Sequence, residues 1–172
     1  MPSFYTYFIS SLPMLAFGAK PPLSFEKFLV LCEKFIPPED IEVIKMALEK
    51  PGYIYSGEQA TLRKWFDFDA LLRNELAKVR AAHKHINPAR YLRHDRYAGG
   101  EIMHLALNAH RTPSILDGEK TLDQARWQAL DEFSCGHFFD LDFLIIYALK
   151  LLILERWERI HEHERKENRQ YH

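Results

Sequence analysis

The sequence predicts an all-α protein: an irregular bundle of about six helices, with a docked N-terminal aromatic segment and a long C-terminal helix. Three observations carry that prediction. Apolar residues recur at three- and four-residue spacing along nearly the whole chain. No long stretch alternates apolar and polar residues in the manner of a strand. Breakers such as Pro37-Pro38, Pro51-Gly52 and Asn87-Pro88 fall between the periodic segments. A chain of 172 residues that is 47% hydrophobic and 27% charged has the composition of a globular domain with a real core. It reads as one domain over residues 1–172, with 155–172 a charged helical extension.

The elements follow in order. Tyr5 to Ile9 reads as a short segment whose aromatics, Phe4, Tyr5, Tyr7 and Phe8, pack onto the long helices before a turn at Leu12-Pro13. It is not read as a secretory signal, because no basic residue precedes Lys20 and Ser10, Ser11 and Pro13 interrupt the apolar run. Ser24 caps a helix to about Ile36, with Phe25, Phe28, Leu29 and Cys32 on one side. "EDIEVIKMALEK" makes a short second helix. A long helix from about Glu58 to His85 keeps Leu62, Trp65, Leu72, Leu76 and Val79 on one face, although Asp69 interrupts the stripe. A fourth follows Gly99-Gly100, "TPSILDG" reads as a loop, and a fifth covers Thr121 to Phe133 with Cys135-Gly136 as its exit. The last begins near Asp140, whose charge suits a helix N-terminus. Short connections between such helices imply antiparallel hairpins.

That last helix contains "FLIIYALKLLILERWERIHEHERKEN", residues 143–168. Its apolar half, Phe143 to Leu154, spans about 18 Å of helix at 1.5 Å per residue. A membrane crossing needs about 20 apolar residues. A helix apolar on all sides over this shorter length is one buried among other helices.

The charged half invites a search for metal ligands. "HEHER" is not the zinc-protease pattern, since the fourth residue after His161 is Arg165 rather than histidine. His161 and His163 lie two apart, about 200° around a helix, and do not share an ion. Glu101–His104 and Glu158–His161 are both Glu-x-x-His, the spacing that di-iron carboxylate bundles use to set a carboxylate beside an imidazole. Glu33 and Glu75 are the nearest candidates for the remaining ligands. However, Glu158 points away from the apolar stripe of Ile146, Leu149, Ile153, Trp157 and Ile160. The expectation is therefore a solvated face and no metal. Asp140 and Asp142 read as helix-start residues rather than ligands. Cys32 and Cys135 are too few and too far apart for a disulfide framework. Cys135 and His137 have no orienting partner for nucleophilic work.

A net charge of −1 names no partner, but its distribution is uneven. Residues 73–96 carry Arg73, Lys78, Arg80, Lys84, Arg90, Arg93 and Arg96 with three histidines, opposed only by Glu75 and Asp95. Such a stretch suits an acidic protein surface or anionic lipid. Nucleic acid is disfavoured, since Tyr91 and Tyr97 are the main aromatics there for base stacking. No glycine-rich phosphate loop is present, so neither a cofactor nor a small-molecule substrate is expected.

Two strings carry a resemblance. "YFISSLPMLAFGAKPPLSFEKFLVLC" and "GHFFDLDFLIIYALKLLILERWE" resemble an uncharacterised bacterial family associated with V-type (archaeal/vacuolar-like) ATPase operons, as a counterpart of the connector subunit of those enzymes. The resemblance implies an all-α, non-catalytic connector between the central stalk and the membrane ring, cytoplasmic and peripheral on the inner face of the membrane. The chain is shorter than the usual connector subunit, and no functional residue carries over individually. In that reading Lys78, Arg80, Lys84, Arg90, Arg93 and Arg96 meet the partner. Two other classes remain: a free-standing helical adaptor that binds an acidic partner or nucleic acid through residues 73–96, and a di-metal carboxylate enzyme using Glu101, His104, Glu158 and His161.

Overall fold

Among the residues described by the computed structural model (5–49, 55–93 and 97–170, with side chains to residue 166) there are seven α-helices and no strand. Phe4, Pro51-Gly52, His94, Asp95 and Arg96 lie outside the described residues. The helices are α1 (Thr6–Ser11), α2 (Phe25–Phe35), α3 (Pro38–Lys45), α4 (Ala60–His83), α5 (Gly99–Arg111), α6 (Ile115–Phe133) and α7 (Leu141–Gln170). The chain divides into two compact units, one made of residues 1–48 and 130–172, the other of residues 49–129.

The first unit is organised by α7. Residues Leu144 to Leu149 are buried without a break, followed by Leu151, Ile153 and Leu154. Consecutive burial means that every side of this helix is covered, as its all-round apolar sequence requires. Helices α2 and α3 both pack on it. Phe28, fully buried on α2, has its ring 5.2 Å from that of Tyr147 on α7. Burying such a side chain stabilises the fold by about 1.5–3 kcal/mol. No helix among the described residues is long and apolar enough to cross a membrane.

Polar bonds set the register of these contacts. Ser24 accepts from the Lys27 N–H at 3.2 Å and so caps α2. The first N–H of that helix, from Phe25, donates to Glu155 Oε1 of α7 at 2.8 Å. Glu155, expected on a solvated face, is instead a capping carboxylate, favoured by the positive end of the α2 dipole. The Tyr147 hydroxyl donates to the Pro13 carbonyl at 2.9 Å, and burial pushes its pKa up to about 12. Unbroken exposure along α7 begins only at His161 and continues to Lys166.

The docked aromatic segment is the short helix α1. Phe8 is buried and its ring lies 5.1 Å from Phe35 and 6.4 Å from Phe28. Tyr5 donates from its backbone to Phe139 O at 2.6 Å and from its hydroxyl to Asp40. Tyr7 departs from expectation: it is 78% exposed, with its ring 6.0 Å from that of Phe35 at the rim of α2. On a helix as short as α1, neighbouring aromatics point about 100° apart, so Tyr7 and Phe8 do not share one buried face.

In the second unit, α4 starts at Gln59, whose Oε1 accepts from the Leu62 N–H at 2.7 Å. It ends where His85 takes φ +55° and the Ile86 N–H returns to Ala81 O at 3.0 Å. The connector then folds back along α4, because the Asn74 side chain holds Arg93 through both its backbone N–H (2.8 Å) and its carbonyl (2.6 Å). Helix α5 therefore runs in the same direction as α4, bringing His110 beside His83 with rings 5.4 Å apart. This corrects the expected antiparallel hairpin. The fifteen residues from Lys84 to Ala98 are ample to walk back the roughly 20 Å of helix required. Leu72 and Leu76 of α4, Ala106 and Ala109 of α5, and Leu122 of α6 form an apolar cluster in this unit, with Phe68, Val79, Ile102 and Leu105 packed against it.

Helix α6 begins six residues earlier than the sequence suggests. Ser114 caps it, accepting from the Asp117 N–H at 3.2 Å, and Gly118 lies inside the first turns rather than in a loop. A Cβ on Gly118 would stand 2.7 Å from the Ala109 carbonyl oxygen. The glycine serves the close approach of α5 and α6, not a turn. Helix α6 ends at Phe133, and the turn that follows closes at Gly136, which takes φ +87°.

Two expectations follow. Gly118→Ala would add about 1 kcal/mol in an ordinary helix interior, but here the backbone clash should lower stability by about 1–3 kcal/mol in urea unfolding. A stabilised variant would contradict the close approach. Burial pushes the Cys32 thiol up to about 12, whereas Cys135 is exposed. Ellman's reagent near pH 8 should therefore titrate one thiol in the native protein and both in denaturant. Two thiols reacting at once in the native protein would contradict the burial of Cys32.

Candidate functional site

The basic stretch is less open than its composition implies. Arg73 donates to Asp69 at 2.6 Å and Lys78 to Glu75 at 2.6 Å, both within α4. Arg80 lies 4.0 Å from Glu119 of α6. Both carboxylate partners on α4 are buried, which a reading of the residues as a solvated face does not anticipate. Lys84, Arg90 and Arg93 are exposed, and the backbone of Arg93 is fixed by Asn74. Arg96 lies outside the described residues. The cations that reach solvent thus gather at the C-terminal end of α4 and in the connector. Beside them is an open cleft of about 470 Å³ lined by Val79, Ala82, His83, Leu107, His110 and Arg111.

The two Glu-x-x-His pairs do not gather ligands. Glu101 and His104 are both exposed on α5. Glu158 accepts from Arg165 at 2.9 Å and has Lys20 at 3.9 Å, and His161 is exposed. Within its own unit neither pair brings a third carboxylate or imidazole to the same point. Glu101, His104 and His161 face water, whereas the Glu158 side chain is only 18% exposed and is engaged by Arg165 and Lys20.

Two arrangements escaped the sequence reading. The first is a buried ion network in the second unit. Arg126 of α6 is 6% exposed and donates through Nε to Asp69 at 3.1 Å and through a terminal nitrogen to Asp123 at 2.8 Å. Burial works against the guanidinium charge, but Asp69 and Asp123 outweigh it and hold the pKa above its ordinary value. Arg73 on the rim supplies the second positive charge, so the network is neutral. Asp69, which breaks the apolar stripe of α4, is the signal that was available: a lone acid on a buried face requires a cation.

The second arrangement lies at the junction of α6 and α7, in Gly136-His137-Phe138-Phe139-Asp140-Leu141-Asp142. Asp140 Oδ1 accepts from the Phe143 N–H at 3.0 Å and caps α7, as its position suggests. Its Oδ2 stands 2.6 Å from His137 Nδ1, and Asp142 Oδ2 stands 3.7 Å from the same nitrogen. Among the described residues this is the group of three potential metal-ligating side chains whose donor atoms all lie within 4.8 Å of one another. The expectation that Asp140 and Asp142 serve only to start the helix missed His137. The imidazole comes into range only because Gly136 turns the chain and the His137 N–H is held by the Ser134 carbonyl at 3.0 Å.

Residues 101–170 match the model of a protein family described as a protein of unknown function (DUF2764). No curated protein and no solved structure matches the chain.

The buried network makes a quantitative prediction. Arg126→Met leaves two carboxylates buried beside one remaining guanidinium, and should lower unfolding stability by about 3–5 kcal/mol. Replacing Asp69 and Asp123 with leucine in the same chain should recover most of that loss. A single-variant cost below about 1 kcal/mol would mean that water reaches the carboxylates and the network is not sealed.

Proposed function

We propose that this protein is a non-catalytic connector, a structural coupling component of a V-type ATPase that links the central stalk to the membrane ring. The observation that carries the reading is where its two resembling strings lie. Residues 7–32 and 136–158, far apart in sequence, both belong to the first compact unit. They are tied to each other by the Phe25–Glu155 and Pro13–Tyr147 hydrogen bonds and the Phe28–Tyr147 ring contact. Both strings therefore fall within one structural module, which supports reading them together. An all-helical chain with no span among its described residues is compatible with a peripheral seat on the cytoplasmic face of a membrane.

In this role the exposed cations Lys84, Arg90 and Arg93, with Arg80, Lys78 and Arg96, meet acidic loops of the ring or anionic headgroups. Attraction of that kind weakens with salt, over a screening length of about 8 Å at physiological ionic strength.

The test is a mild-detergent pull-down of the tagged protein from its native cell, with mass spectrometry of what accompanies it. Stalk and ring components should be recovered, and the triple charge reversal Arg90→Glu, Arg93→Glu, Arg96→Glu should reduce their yield. Recovery of the protein without any rotary-ATPase component would overturn the connector assignment. Undiminished recovery by the triple variant would remove the basic stretch from the interface.

A further inference from the structure

We propose that His137, Asp140 and Asp142 form a binding site for a divalent transition-metal ion of the zinc class, clipping the exit of α6 to the first turn of α7. This goes beyond the connector reading and does not depend on it. The motif is one that connector function leaves without a use, and its three donors converge in space as well as in sequence.

The donor set selects the ion. One imidazole nitrogen with two carboxylate oxygens suits zinc and its neighbours, whereas magnesium and calcium take oxygen ligands almost alone. Distances agree with the same choice. Two donors bound to zinc at about 2.0–2.2 Å in tetrahedral geometry stand roughly 3.4 Å apart. The observed separations from His137 Nδ1, 2.6 Å and 3.7 Å, fall on either side of that value. Side-chain rotations of less than about 1 Å at the donor atoms would bring both into range.

Capping and coordination do not compete for the same atom. Asp140 caps α7 through Oδ1 and offers Oδ2 to the imidazole. A backbone N–H on the far oxygen is the kind of outer contact that orients a ligating carboxylate. The side chains are between one-fifth and one-third exposed, at 31% for His137, 19% for Asp140 and 22% for Asp142. The site is thus open enough for an ion to enter and leaves a position for water, as three-ligand zinc sites do. Binding displaces the hydrogen bond between His137 and Asp140, and the coordinating Nδ1 carries no proton, the imidazole holding its N–H on Nε2 instead. All three ligands fall within six residues, so little loop entropy opposes closure. The ion would also restrain Phe138 and Phe139, which lie between the ligands and are both exposed.

The test uses the full chain, stripped with a chelator and titrated with zinc chloride by calorimetry, with cobalt(II) absorption as a direct report on nitrogen and oxygen coordination. One zinc per chain should bind, and its affinity should fall at least about tenfold in His137→Gln and in Asp142→Asn. The second variant keeps the Asp140 cap, so its fold can be confirmed by circular dichroism. Zinc should raise the thermal midpoint of the wild-type chain and not that of Asp142→Asn. Absence of stoichiometric binding overturns the proposal. Wild-type affinity retained in both variants does so too, because it would place the ion on exposed histidines elsewhere, such as His161 and His163.

Discussion

A helix with apolar side chains in every direction cannot be satisfied by one neighbour, and the first unit is built around that demand. Between Leu144 and Leu154, α7 needs cover on all sides, and α2 and α3 pack against it. Cover alone would leave the helices free to slide, since apolar contact is non-directional. The register is set where polar groups meet this core. Glu155 closes the start of α2, Tyr147 holds Pro13, and Lys150 pairs with Asp131. Glu155 sits at the end of the apolar run, whereas Tyr147 and Lys150 lie within it and reach their partners from there.

The second unit meets the same problem with a different balance. Beside its apolar side chains, Thr61, Asp69, Asn74, Glu75, Asp123 and Arg126 are all buried. Such groups add little net stability compared with well-packed hydrophobic residues, but they are costly to leave unpaired. Asn74 and Arg126 accordingly act as directional fasteners, one holding the connector against α4 and the other holding α6. No buried side-chain polar atom among the described residues lacks a hydrogen-bond partner. The parallel course of α4 and α5 follows from the first fastener, and the antiparallel course of α6 from the second.

Periodicity made the helices legible, because a 3.6-residue repeat needs no knowledge of what the helix packs against. The breakers were legible for the same reason, and Ser24, Asp140 and Gly136 act as caps and exits where the sequence places them. What could not be read locally were features whose cause lies on another helix. Gly118 looks like a turn residue until the Ala109 carbonyl is seen against it. Glu155 looks solvated until α2 arrives, and Asp69 looks like an interruption until Arg126 is opposite. The cations of residues 73–96 read as one basic patch because buried Glu75 and Asp69, which pair with Lys78 and Arg73, cannot be distinguished in sequence from exposed acids. At the α6–α7 junction the two aspartates were legible as helix starters. The approach of His137 was not, because it depends on the left-handed turn at Gly136.

The division of the chain has a consequence for how it is made. The ties that close the first unit join residues 130 and 134 positions apart, whereas the Asp69–Arg126 and Asn74–Arg93 ties of the second unit span 57 and 19. At a synthesis rate of about 5–20 residues per second, Phe8, Phe28 and Cys32 wait roughly 6–26 s for the helix that will bury them. The second unit has its whole sequence by Ala129 and can assemble in that interval. The nascent chain therefore passes through a stage in which it holds the complete sequence of one unit while the aromatic residues of α1 and α2 still lack the helix that covers them. Damage to α7 would prolong that stage, leaving a partly folded protein for chaperones and proteases to act on.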